Sequence, residues 1–158
     1  MSNEPGKQQP ITQAYFPPLL RILYQAFIAQ LHVELAAAGY PDVRPAHGLV
    51  FQHLRAEGCR VTELAERSQV SKQWMGSLVD DLEARGYLLR LPDPADGRAK
   101  VVRVTDDGRE LLRAAQGISR RIEVEWAERV GSGRLEALRR QLEDVIIGLG
   151  LEPPFASE

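Results

Sequence analysis

Between residues 61 and 86 the chain reads VTELAERSQVSKQWMGSLVDDLEARG, which carries two helix starts and two helix stops. Thr62 is an N-cap candidate for a short helix with Leu64 and Ala65 facing inward, ending near Ser68. Ser68-Gln69-Val70 makes a tight connection, and Ser71 caps a longer helix that runs to about Arg85 and stops at Gly86. A short helix, a turn of three or four residues and a longer helix are the parts of a helix-turn-helix.

Downstream, the hydrophobic period changes. Tyr87–Leu91 and Lys100–Val104 read as short strands, and the stretch from Pro92 to Ala99, with Pro92, Pro94 and the Asp96-Gly97 pair, reads as the turn between them. A hairpin directly after a helix-turn-helix makes a winged helix. Thr105 then caps a long helix that carries Leu111, Leu112, Ile118, Ile122 and Trp126, until Gly131-Ser132-Gly133 interrupts it. A last helix spans about Arg134 to Ile147. Upstream, Leu19, Leu23, Phe27, Leu31 and Leu35 recur at helical spacing between Phe16 and Ala38. A second helix is expected from Pro45 to Gly58, with Leu49, Val50 and Leu54 inward. The fold class is mainly α with one β-hairpin: a winged helix-turn-helix with flanking helices.

These elements divide the chain. Residues 41–104 form the winged-helix lobe, and residues 15–40 and 105–149 form outer helices. A winged helix needs only its own small core, so the apolar stripes of the outer helices call for another surface. A second copy of the chain is the simplest one. Residues 1–14 are expected to form a mobile arm and residues 150–158 a tail.

Charge narrows the function. The 158 residues hold 20 Lys plus Arg against 22 Asp plus Glu, a net charge of −2, so nucleic acid must be met by a local basic surface. From Arg85 to Arg103, the basic residues Arg85, Arg90, Arg98, Lys100 and Arg103 stand against Asp93 and Asp96, an excess of three positive charges. On the helix after Ser71, Met75, Leu78, Val79 and Leu82 share the inward face, leaving Ser71, Lys72, Gln73, Trp74 and Ser77 outward. Gln matches an adenine edge and Lys matches guanine or phosphate, so this surface suits the major groove. Arg98, beside the hairpin turn, suits the minor groove. Asp80 and Asp81 lie exposed further along and would repel phosphate.

The stretches Val61–Arg67, Val70-Ser71, Leu78–Tyr87 and Pro92–Lys100, followed by Val104-Thr105 and Gly108, resemble the MarR family of bacterial transcription regulators, most specifically in the Asp96-Gly97-Arg98 wing. The likeness is strong over about residues 61–109 and keeps the same order on either side. It implies a homodimer joined by the first and last two helices, bound to pseudo-palindromic double-stranded DNA operators and often released by a small-molecule effector. It also implies DNA contacts from Ser71, Lys72, Gln73, Trp74, Ser77, Asp96, Arg98 and Lys100, with Asp96 holding Arg98. An effector pocket between the dimer helices and the DNA-binding lobe would draw on Tyr24, His32, His47 and Phe51. The chain departs from the commoner pattern at Pro45–Gly48 and at Lys72–Met75.

The expected function is a dimeric, sequence-specific transcription regulator, a repressor by preference. The alternative is a helical dimeric interaction module, or a metal or redox sensor on the same fold. The three histidines do not have zinc-motif spacing, and Cys59 lies at a helix end rather than near the start of the first helix, where a peroxide-sensing branch carries its cysteine. No metal site, cofactor or catalytic constellation is expected. The polar N-terminus and the lack of a long apolar run indicate a cytoplasmic protein with no membrane partner.

Overall fold

The computed structural model describes residues 15–151; the arm at 1–14 and most of the tail fall outside the described residues. The element order is α1 (Phe16–Ala37), a 3-10 turn (Pro45–His47), α2 (Gly48–Phe51), α3 (Val61–Arg67), α4 (Lys72–Ala84), β1 (Leu88–Asp93), β2 (Asp96–Val104), α5 (Asp106–Val130) and α6 (Ser132–Gly148). The helix-turn-helix and wing follow as expected, with α1, α5 and α6 outside them.

The core gathers buried residues from α1 to α5 and from both strands. Leu35, Val50, Leu64, Met75, Val79, Leu82, Leu88, Val102, Leu111, Ile118 and Ile122 are buried together. Local chemistry fixes the ends of α4 and the start of α5. Ser71 Oγ accepts from the Trp74 backbone N–H at 3.2 Å and starts α4; Gly86, at φ +81°, lies just beyond its end. Thr105 Oγ accepts from the Gly108 N–H at 3.0 Å and donates to the Gly86 carbonyl at 2.6 Å, so one hydroxyl starts α5 and ties it to the end of α4.

Three expectations need correction. The second helix does not run to Gly58: α2 ends at Phe51, and residues 52–57 turn back. The cause lies in tertiary pairing. Cys59 forms a β-bridge with Val102, with N–O distances of 3.2 and 2.8 Å, and this draws the chain onto the wing. Gly58 makes the approach at φ +98°, where an added Cβ would stand 2.9 Å from the Val102 carbonyl oxygen.

Thr62 does not cap α3. The cap position is Arg60, whose backbone N–H donates to the Glu63 carboxylate at 2.9 Å. The strands also reach further than expected: pairing runs from Leu88↔Val104 to Pro92↔Lys100, slips, and closes with Asp93↔Asp96. Pro92 is tolerated because β1 lies at the edge of a two-stranded sheet and needs no second ladder.

The outer helices pack through α5. Phe27 of α1 meets Trp126 edge-on at a centroid distance of 5.7 Å, and Trp126 Nε1 donates to Gln30 Oε1 at 3.2 Å. No residue of α6 is buried. Tyr15, Phe16, Leu20 and Ile22 at the start of α1, and Val145, Ile147 and Leu149 near the end of α6, stand exposed. Among the described residues no helix is long and apolar enough to cross a membrane.

Candidate nucleic-acid interface

The first turns of α4 present Ser71, Lys72, Gln73, Trp74 and Ser77 to solvent, while Met75, Leu78, Val79 and Leu82 anchor the opposite face in the core. Trp74 is 42 % exposed, a large aromatic held out of the core. Ser77 Oγ donates to the Gln73 carbonyl at 3.1 Å, which ties its hydrogen to the helix and leaves its oxygen outward to accept. The turn before α4 holds Gln69 at φ +54°, the one non-glycine residue with positive φ among the described residues.

The hairpin tip is folded by two carboxylates. Asp93 Oδ1 accepts from the Ala95 N–H at 2.9 Å, and Asp96 Oδ1 accepts from the Arg98 N–H at 3.2 Å. Asp96 therefore holds the backbone of Arg98 rather than its guanidinium. Arg98 and Lys100 are exposed, and among the described residues neither forms an ion pair.

The other basic residues counted near the wing are committed elsewhere. Arg85 pairs with Asp42 at 2.8 Å and with Asp81 at 3.0 Å. Arg90 pairs with Asp80 at 2.6 Å and with Glu83. Arg103 Nε donates to the Glu57 carbonyl at 2.8 Å. Arg103 keeps its charge but is held against the Glu57 carbonyl, so the basic side chains of the wing with no partner among the described residues are Arg98 and Lys100. The same pairs correct the expectation for α4: Asp80 is exposed but already balanced by Arg90, and Asp81 is half-buried instead of exposed.

Asp81 is the centre of a network that joins α4 to the segment before α2. Its carboxylate takes Arg85 on one oxygen and, on the other, Arg44 at 2.5 Å and His47 Nε2 at 2.8 Å. The Arg85 hydrogen bond, aided by Arg44 and His47, holds Asp81 down to about 2. His47 is fully buried, and burial pushes its imidazole below the ordinary value. Tyr87 Oη, whose pKa burial raises, donates to Asp42 at 3.3 Å.

The four candidate effector residues are spread out. Tyr24 stands outward on α1 at 57 % exposure; His32 Nδ1 lies 3.0 Å from the Val43 carbonyl; His47 is in the network; Phe51 packs half-buried against the core. A cleft of about 210 Å³ opens instead between α1, α5 and α6, lined by Phe27, Trp126, Leu135, Leu138 and Leu142 and edged by Glu123 and Arg139. None of the four lines it. Cys59 is buried, with Sγ 3.5 Å from the His53 carbonyl, which gives no support to a reactive thiolate. Among the described residues no three His, Cys, Asp or Glu side chains gather as a metal site.

Sequence reasoning missed Arg60, the pairing of Arg90 with Asp80 and Glu83, and the network that joins Asp42, Arg44 and His47 to α4.

Residues 42–99 match the sequence profile of the MarR family. The chain is 30% identical over 124 residues to the Transcriptional regulator HosA of Escherichia coli O111:H-, covering 78% of this chain and 87% of the relative. In fold it is similar to apo MarR from E. coli, with a TM-score of 0.70 and 20% identity over 84% of this chain and 97% of that one. It is similar also to CouR from Rhodococcus jostii RHA1 bound to p-coumaroyl-CoA, with a TM-score of 0.65 and 22% identity over 96% and 99% of the two chains. CouR bound to a 23-mer DNA duplex gives a TM-score of 0.69 at 21% identity, over 89% and 99%.

Proposed function

The chain belongs to the MarR family of transcription regulators, and from that premise we propose that it acts as a homodimer that reads a pseudo-palindromic operator and represses transcription until a small molecule releases it. Each subunit lays the start of α4 in a major groove through Ser71, Lys72, Gln73, Trp74 and Ser77. Asp96, Arg98 and Lys100 of the wing address the neighbouring minor groove. The carrying observation is the contrast in pairing: Arg85, Arg90 and Arg103 are bonded within the protein, while Arg98 and Lys100 are left unpaired on the hairpin.

The proposed dimer interface is formed by α1, α5 and α6, whose exposed apolar residues have no cover within one chain. The two α4 helices then enter grooves about one helical turn, roughly 34–36 Å, apart. An effector acts by favouring another separation, and CouR with its bound p-coumaroyl-CoA supports a ligand-responsive reading. Work on genomic DNA implies a cytoplasmic protein, and its role is binding rather than catalysis.

Selection of genomic fragments by the purified protein at two salt concentrations, with Arg98→Ala in parallel, tests this. The wild type is expected to enrich a pseudo-palindrome. Arg98→Ala weakens binding and lowers the salt slope by about 1, whereas Gln73→Ala costs about 1–3 kcal/mol at one base position only. No enrichment by either protein at low salt would overturn the proposal.

A further inference from the structure

Arg60 occupies an unusual place between the two reading elements. Its backbone caps α3, but its side chain leaves the helix-turn-helix and reaches the hairpin. Nε donates to Asp93 Oδ2 at 2.6 Å, and one terminal nitrogen lies 2.5 Å from the same oxygen and 3.6 Å from Asp96 Oδ2. Asp93 and Asp96 are the two carboxylates that fold the tip. Each gives one oxygen to a tip amide and turns the other toward Arg60.

The tip has little else to hold it. Pro94, Ala95, Asp96, Gly97 and Arg98 are all exposed, and the regular register of the strands is lost beyond Pro92. An isolated two-stranded hairpin is marginal in water. The pair itself is not an ordinary surface contact, because the Asp93 side chain is only 11% exposed and is held by two nitrogens of one planar fork.

We propose that Arg60 is a positioning residue for DNA binding, whose guanidinium locks the wing tip to α3 and so fixes where Arg98 meets the duplex. This rests on the DNA-binding reading of α4 and the wing. A tip that is ordered beforehand avoids the ordering cost at the moment of binding. Lysine cannot replace the fork, since a point charge does not span Asp93 and Asp96 in the same way.

Arg60→Lys and Arg60→Met in the full-length protein test the proposal. Amide 15N relaxation of residues 94–99 is measured without DNA, and affinity is measured for the genomic fragment that the wild type selects. Both variants are expected to loosen the tip, with order parameters falling below about 0.6. Both are also expected to weaken binding about tenfold, and this loss vanishes when Arg98 is already Ala.

A tip that stays as rigid in both variants overturns the proposal. So does rescue of affinity by lysine with losses that add to those of Arg98→Ala, which marks a direct phosphate contact. Should the wild type select no DNA, the DNA-binding reading fails, and the proposed role of Arg60 fails with it. The relaxation data, taken without DNA, separate that case from a failure of the clamp itself.

Discussion

A Cβ added at Gly108 would lie 2.2 Å from the Tyr87 carbonyl oxygen and 2.7 Å from Val104 Cγ1, so α5 touches the base of the hairpin with no room for a methyl group. Gly117, in the same helix, meets nothing within 4 Å. The two glycines are therefore expected to respond with opposite sign. Gly117→Ala stabilises by up to about 1 kcal/mol through helix propensity. Gly108→Ala costs about 1–3 kcal/mol through overpacking, even after that gain. Urea unfolding of both variants checks this, and equal shifts would refute the packing argument. Residues whose roles are local were legible in the sequence: Ser71 and Thr105 as caps, and Met75, Leu78, Val79 and Leu82 as the inward face of α4. Arg60–Asp93 and His47–Asp81 were not, because the partners lie 33 and 34 residues apart and charge pairing leaves no periodic trace.

Elements were legible in kind and order, less so in extent. The helix expected to reach Gly58 stops at Phe51 because Cys59 is claimed by Val102, a residue of a strand still to come in the sequence. The seating of α4 against the segment before α2 was likewise hidden, and it carries a pH dependence. The Arg44 backbone N–H donates to His47 Nδ1 at 3.1 Å, so the neutral imidazole carries its proton on Nε2 and donates to Asp81. A second proton would sit on Nδ1, facing that N–H. Asp81 favours the imidazolium while Arg44 and Arg85 oppose it, and burial, the largest influence, keeps His47 below its ordinary value near 6.5. The unfolded chain therefore takes the proton first. The contribution of His47 to stability is complete above about pH 6.5 and is lost as the pH falls below it. That of Asp81 is complete above its ordinary 3.8 and is lost as the pH drops through about 2. The unfolding midpoint in urea is expected to fall from pH 7 to pH 5, and His47→Gln should remove that part of the slope. Parallel curves for the two proteins would sink the argument.

At the scale of the molecule, the exposed apolar residues of the outer helices are what the proposed dimer would cover. Ile22 of α1 is 60% exposed and Ile147 of α6 is 70% exposed. If these helices join two copies, Ile22→Glu or Ile147→Glu places a carboxylate in the interface. Self-association then weakens by about 2 kcal/mol, roughly thirtyfold. Sedimentation equilibrium reads this directly, and an unchanged dimer would place the interface elsewhere. The join at Thr105 and Gly108 has a mechanical consequence. Because that joint leaves no slack, a rigid tilt of α5 would carry the base of the hairpin with it. Its 25 residues make an arm of about 37 Å, so a tilt of about 5° pivoted at the α6 end sweeps the hairpin base through about 3 Å. That sweep is close to the roughly 3.4 Å rise of one base pair. If the wing meets a duplex as proposed, a tilt of a few degrees about the far end of α5 would thus shift it by about one base-pair step.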